Sequence, residues 1–224
     1  MVQRASTMRP PPGRQLLSRD FITQHQRARI IAALAEETAA GGYRSVTVAD
    51  IVGRAGIARN TFYDNFSSKE ECFLAAQEYA VENALGRVVE AASEIESWPG
   101  RVNAGLAAFL RYVAGEPALA RTCMVEALSA GPASVERYEQ SLQAFVPLFR
   151  IGRTVSRHGT QLPDTLEETI IGGIFWVIYH RITIGETEQI EELLPELVEF
   201  ALTPYLGAES AKRAASEQPP RPPN

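Results

Sequence analysis

Arg59, Asn60 and Thr61 are three adjacent side chains in this 224-residue sequence whose types point to a definite chemistry. An arginine can give two parallel hydrogen bonds to one edge of guanine, and an asparagine can pair with the matching edge of adenine. Both need a rigid element that carries them into a groove. Other chemistries have less to work with. His25, His158 and His180 have no metal-ligand spacing among themselves. The acidic pairs Glu36-Glu37, Glu167-Glu168 and Glu191-Glu192 are sequence neighbours, which on a helix point to different sides and read as solvated faces. Neither a glycine-rich phosphate loop nor a nucleophile elbow is present. Two cysteines, Cys72 and Cys123, are too few for a disulfide framework or a zinc site. Arg121 lies close to Cys123 and could lower its pKa, which leaves a redox-sensing thiol as an alternative. No cofactor, no metal and no enzymatic reaction is expected.

Charge is unevenly placed around these residues. The whole chain has a formal charge of −5, yet residues 1–66 hold nine arginines against five acidic residues. Such asymmetry hints at a polyanion partner for the basic part. With 45% hydrophobic and 22% charged residues the composition is globular. No apolar run reaches the roughly 18 residues of a membrane span. Met1 to Leu17 lacks the apolar core of a secretory signal, and the cysteine usage fits a reducing cytoplasm. Half of the 14 prolines lie near the two ends, at 10–12 and 219–223, so the middle is free to be helical.

Helical spacing recurs through that middle. Over 24–40, Arg27, Ile30, Ile31, Leu34, Ala35 and Thr38 share one face, Thr23 and Gln26 have capping-box spacing, and Gly41-Gly42 ends the run. Thr47 can cap a short helix over 48–54 with Val48, Ile51 and Val52 inward. Ala55-Gly56 makes a tight turn. A second short helix over 58–65 turns Phe62 inward, Phe66 closes the core, and Arg59, Asn60 and Thr61 point away. The amides at the Thr47 helix start offer an anion site. Ser67 or Ser68 then caps a long helix to about residue 93, with Glu70 and Glu71 in its first turn. Pro99, Pro117, Pro132 and Pro163 punctuate further helices at about 100–114, 117–129, 133–158, 164–185 and 188–203. Pro195 inside the last stripe predicts a late start or a kink.

Helix, glycine turn, helix is the helix-turn-helix unit, whose second helix enters the major groove. The run Gly42-Tyr43, Thr47-Val48, Asp50-Ile51, Ala55-Gly56-Ile57, Thr61-Phe62-Tyr63, Phe66 and Lys69-Glu70 closely resembles the tetracycline-repressor (TetR) family over about residues 24–75. The resemblance implies an all-α fold with an N-terminal three-helix DNA-binding domain and a larger C-terminal helical ligand-binding and dimerisation domain. It divides the chain into a disordered basic tail (1–17), the helix-turn-helix domain (18–67), the C-terminal domain (68–207) and a disordered Pro-rich tail (208–224). It places phosphate contacts at Thr47, Tyr63 and Lys69. Arg44 and Arg54 add charge or are plain surface. This sequence departs from the family at two positions. Ala58 stands where Ser or Thr usually caps the recognition helix, a loss of about 1 kcal/mol. Asn65 stands where Tyr or His is common, and can still donate to a phosphate. Arg4, Arg9, Arg14 and Arg19 form either a minor-groove arm or a solubilising tail.

A reader of this size covers half a site, so a homodimer is implied. The expected interface is Leu166, Ile170, Gly173, Val177, Leu194, Val198 and Leu202; the alternative is that both stripes face the protomer's own core. The expected ligand pocket takes Phe109, Tyr112, Tyr138, Phe145, Phe149, Trp176, Tyr179 and His180, with Phe175 in the same cluster. Arg111, His180 and Arg181 supply polarity, and Cys123 and Met124 line the pocket or fill space. The implied function is a cytoplasmic, ligand-responsive transcriptional regulator. It acts as a repressor released by a small molecule from a palindromic double-stranded DNA operator. A redox- or otherwise-modulated activator, or an enzyme-like protein using the C-terminal cavity, are the alternatives.

Overall fold

The computed structural model describes residues 19–217, and among them every regular element is helical. Three helices open the chain: α1 (Arg19–Gly41), α2 (Val48–Ala55) and α3 (Arg59–Asn65). Gly42, at φ +79°, ends α1 in the left-handed region that glycine adopts without strain. Thr47 and Asp50 form a reciprocal capping box at the start of α2: Asp50 N donates to Thr47 Oγ1, and Thr47 N donates to the Asp50 carboxylate at 2.8 Å. Gly56, at φ +61°, makes the turn into α3. Ile30, Leu34, Ile51, Phe62 and Phe66 are fully buried between the three helices.

Arginines of α1 hold the other two helices by their C-terminal ends. Arg29 donates to the Ala55 carbonyl at 2.5 Å and Arg27 to the Asn65 carbonyl at 2.7 Å. The Arg27 guanidinium also lies 4.2 Å from the centre of the Phe66 ring. Carbonyls in a last helical turn lack intrahelical partners and sit at the negative end of the helix dipole, so a cation is the fitting partner. Arg54 is ion-paired to Glu36 at 2.8 Å and to Glu37, tying α2 to α1 on another side.

The larger part is built from α4 (Lys69–Ala92), α5 (Trp98–Gly115), α6 (Pro117–Met124), α7 (Pro132–Gln143), α8 (Val146–Arg150), α9 (Gly152–Val155), α10 (Leu166–Thr183), α11 (Leu194–Leu206) and α12 (Ala208–Ser216). Ser68 caps α4 through Glu71 N at 3.0 Å. The expected helix over 117–129 stops at Met124 and continues as a 3-10 turn, Glu126–Ser129. The expected helix over 133–158 is three pieces, α7 to α9. Pro147 in the first turn of α8 has no N–H to extend α7. Gly152 lies so close to Trp98 and Tyr205 that a Cβ there would overlap the Trp98 ring. Pro195 sits in the first turn of α11 after a 3-10 segment, so that helix starts late.

One boundary is corrected. Part of the expected C-terminal tail, Ala208–Ser216, is helix, with Ala211, Ala214 and Ala215 buried. Asn103 of α5 donates to the carbonyls of Ala214 (2.8 Å) and Glu217 (3.0 Å), satisfying the last turn of α12. Residues 1–17 and the final prolines lie outside the described residues.

A buried carboxylate holds α9, α10 and α11 together. Glu167 is only 1% exposed, so this member of an expected solvated pair is instead core; Glu168 is exposed. Glu167 accepts from Arg153 Nε (2.8 Å) and Nη2 (2.9 Å) and from the Tyr205 hydroxyl (2.9 Å). Burial alone would raise its pKa. The hydrogen bonds from Arg153 and Tyr205 together outweigh that and hold it below the usual glutamate value. Tyr205→Phe is expected to cost about 1.5–3 kcal/mol by removing a charge-assisted bond, a fall of roughly 3–12 °C in thermal midpoint. A depressed folded pKa contributes stability above the unfolded value and loses it as pH falls through the folded one. The gap between the two proteins should therefore close as pH drops below about 4.5. Equal midpoints at neutral pH would contradict the account.

Candidate functional site

Two sites are positioned by this frame: an outward surface on α2 and α3, and an apolar cavity inside the larger part. On α3, Arg59, Asn60 and Tyr63 are exposed, and Thr61 is half-buried beside the inward Phe62. The Arg59 guanidinium lies over the Tyr63 ring, 5.7 Å from its centre, with Nη2 3.4 Å from the hydroxyl. That contact draws the guanidinium along the exposed face of α3 toward Tyr63. Ala58 precedes the helix without a side-chain cap, so amides in the first turn of α3 lack the usual partner. Arg44 and Thr47 are exposed at the entry to α2. Thr47's hydroxyl donates to Asp50 at 2.6 Å.

Two expected phosphate ligands are turned inward. Lys69 donates to the carbonyls of Tyr43 (2.8 Å) and Val46 (2.7 Å), with its nitrogen 4.1 Å from the centre of the Tyr43 ring. Burial lowers its pKa. Two of three ammonium protons are thus engaged in holding the turn that carries Arg44 and Thr47. Asn65 is corrected more fully: Nδ2 donates to the Thr61 carbonyl at 2.8 Å, and Oδ1 is buried without a partner. Its amide therefore faces its own helix, while its main-chain carbonyl is taken by Arg27. Arg54 is likewise occupied by Glu36 and Glu37. Arg4, Arg9 and Arg14 lie outside the described residues, and Arg19 begins α1.

One apolar cavity, about 300 Å³, lies between α4, α5, α8 and α10, with Val88, Trp98, Leu106, Phe109, Phe149 and Ile174 in its wall. A smaller one, about 60 Å³, adjoins α4, α5, α6 and α7 and meets Gln77, Tyr112, Cys123, Met124, Tyr138 and Ser141. Phe109, Phe145 and Phe175 line both. Of the expected pocket residues, Phe109, Tyr112, Tyr138, Phe145 and Phe149 are therefore brought together.

Trp176, Tyr179 and His180 line neither cavity. Trp176 is 65% exposed and stacks on Tyr179 with ring centres 5.6 Å apart. One residue beyond buried Phe175, it is turned about 100° around the helix. The expected polar groups also lie elsewhere: Arg111 is exposed and 3.8 Å from Glu191, and Arg181 pairs with Glu186. The aliphatic wall from α4, including Val88 and Val89, escaped sequence reading because small apolar residues carry no mark separating cavity from core. Burial pushes the Cys123 thiol up to about 12, and Arg121 does not offset it. At neutral pH it stays a thiol, contrary to the redox-sensing alternative.

The α10 and α11 stripes divide. Ile170, Val198 and Leu202 are fully buried within the protomer, so the expectation that they form a dimer face is corrected. Leu166, Gly173, Val177 and Leu194 are half-buried. Outward stand Trp176, Phe200 (46% exposed) and Ile184 (51% exposed). Phe200 lies over Gly173, where a Cβ would stand 3.1 Å from its ring.

Among the described residues no group of three His, Cys, Asp or Glu side chains could hold a metal ion, and no helix is long and apolar enough to cross a membrane.

Residues 30–76 match the model of the bacterial regulatory proteins of the tetR family. Over 163 residues the chain is 28% identical to the HTH-type transcriptional regulator EthR of Mycolicibacterium smegmatis, covering 72% of this chain and 74% of the relative. It is 27% identical over 111 residues to the HTH-type transcriptional activator FasR of the same species, covering half of each. Among solved structures, FadR of Bacillus subtilis in complex with stearoyl-CoA superposes with a TM-score of 0.65 at 17% identity, over 80% of this chain and 98% of that one.

Proposed function

We propose how this chain, a transcriptional regulator of the TetR family whose residues 30–76 match that family's model, reads DNA and what releases it. Arg59 and Asn60 enter the major groove and read base edges, with Thr61 beside them. Arg44, Thr47 and Tyr63 contact flanking phosphates. Lys69 serves by holding the 43–46 turn. The observation that carries this reading is the exposed Arg59-Asn60 pair at the start of a helix clamped at its other end by Arg27. Phosphate contacts fix register, and base contacts fix sequence.

Two protomers present two such helices to a palindromic operator in the cytoplasm, joined through α10 and α11. A small molecule in the apolar cavity is the effector. The similar FadR structure holds an acyl thioester, which fits a largely aliphatic and aromatic wall. The route to the reader runs through α6. Its Ala120, Cys123 and Met124 face the inner cavity, while Thr122 donates to the Ala35 carbonyl of α1 at 3.1 Å. Just beyond, Glu126 accepts from Tyr43 N at 3.0 Å. The ligand changes DNA affinity only as far as it binds one arrangement better than the other. We assign repression as the sign and no catalytic reaction.

Selection of bound fragments from random DNA at near-physiological salt, read by sequencing, tests the reading. A palindromic site is expected. Absence of any enriched sequence from the full chain, with or without added effector, would remove the reader assignment.

A further inference from the structure

We propose that the two cavities are one channel for an elongated amphiphile, gated by Phe109, Phe145 and Phe175. Its inner end takes an oxygen atom at the far tip of the ligand. This rests on the effector reading above and names the class of effector.

Helix α5 supplies the axis. Arg101, Gly105, Phe109 and Tyr112 follow one another at spacings of four, four and three, which places them on one helix face. At 1.5 Å per residue, Phe109 lies about 12 Å and Tyr112 about 16 Å along the axis from Arg101. The opening is marked by the exposed lining residues Val89, Ser93, Arg101 and Ile151. Arg101 Nε donates to the Ile95 carbonyl at 2.6 Å, which fixes the guanidinium at the rim. Among the described residues its two Nη groups have no partner, so the rim is built for an anionic head.

The inner end carries a second signal. Tyr112 is 9% exposed, and its hydroxyl is buried without a hydrogen-bond partner. Its ring lies under the Arg87 guanidinium at 5.0 Å, so the hydroxyl is held in place. Buried hydroxyls are nearly always satisfied, and one that is not needs an explanation. A ligand oxygen in the inner cavity would accept its proton.

Between the two ends stand the three phenylalanines, with ring centres 5.5, 5.5 and 5.7 Å apart. Phe145 occupies the break between α7 and α8, whereas Phe109 and Phe175 are carried by the long helices α5 and α10. An extended chain advances about 1.2 Å per single bond. A ligand of about ten bonds from its head therefore ends at the rings, and one of about fourteen reaches Tyr112. A short ligand fills the outer cavity and leaves α6 untouched. A long one passes the rings and presses on the helix bonded to α1, so length separates binding from response.

Calorimetry on the full chain without DNA tests this, with tryptophan emission as a second readout because Trp98 lies in the cavity wall. The probes are decanoate, hexadecanoate, 16-hydroxyhexadecanoate and hexadecanoyl coenzyme A. Hexadecanoate should bind at least about tenfold tighter than decanoate, because its last methylenes are buried only beyond the rings. The terminal hydroxyl should add about fivefold, and Tyr112→Phe should abolish that preference. Phe145→Ala should widen the preference for hexadecanoate over decanoate several-fold; Phe145→Leu serves if the alanine variant does not fold. Carboxylate and thioester phosphates present the same anionic chemistry to Arg101, and whichever probe binds tighter identifies the head. Equal affinity for the two chain lengths, a hydroxyl preference surviving Tyr112→Phe, or binding of none of the probes would each overturn the proposal. Because no DNA is present, such a result leaves the operator reading standing, and a failed operator selection leaves this one measurable.

Discussion

Arg59→Ala should bind the selected operator about a hundredfold to ten-thousandfold more weakly than the parent chain, since each half-site loses a bidentate base contact worth roughly one to two decades. The loss should be concentrated on one base position. In competition against operators altered at single positions, the parent should reject substitution at the base facing Arg59, and the variant should tolerate it. The geometry supports this because the guanidinium stands on Tyr63, outside the buried Phe62 layer, so its removal leaves the core intact. Arg44→Ala is the contrast. It should weaken all sequences alike and reduce the salt dependence by about one released ion per half-site. A uniform loss for Arg59→Ala would reassign that residue to the backbone-contacting group.

The second large effect concerns assembly. Trp176→Glu combined with Phe200→Glu should raise the dimer dissociation constant at least about a hundredfold, because a tryptophan anchor is lost and charge is introduced at a covered apolar face. Sedimentation velocity should then show a monomer with unchanged helical circular dichroism. Binding to a full palindrome should fall to the level of a half-site. Both residues are exposed in the protomer, so their replacement spares its core. A dimer that persists would move the interface elsewhere. Equivalent charges at Ile170, Val198 or Leu202 should instead unfold the protomer, because those side chains are fully buried within it.

The helix-turn-helix was legible in sequence because its signals are local. Thr47 and Asp50 are three residues apart, Gly56 marks its own left-handed turn, and the 3.6-residue spacing of Ile30, Leu34 and Thr38 names the inner face of α1. Side chains whose roles depend on distant partners were not legible. Lys69 finds its acceptors more than twenty residues away, in the turn before α2. Glu167 looks like surface beside Glu168 until Arg153 and Tyr205 arrive from other helices. Helix α12 carries only small apolar residues, and its docking depends on Asn103, more than a hundred positions upstream. In the cavity, aromatic residues announced themselves, but type alone could not say that Phe175 faces in and Trp176 faces out. That is a matter of rotation about one helix axis.

The turn between α1 and α2 has a bearing on how this protein can be taken apart. Lys69 of α4 grips it from one side, and Glu126 beyond α6 binds Tyr43 N from the other. Tyr43 also packs edge-on against Phe73, ring centres 4.7 Å apart. A cut at residue 67 would remove all three supports and open the hydrophobic cluster shared by α1 and α4. The three helices are therefore expected to lose stability when cut away from these supports. Grafted onto a foreign sensor, they would have to bring the first turns of α4 and a substitute for the α6 end, and recombination that exchanges effector domains is constrained to breakpoints that keep this joint whole.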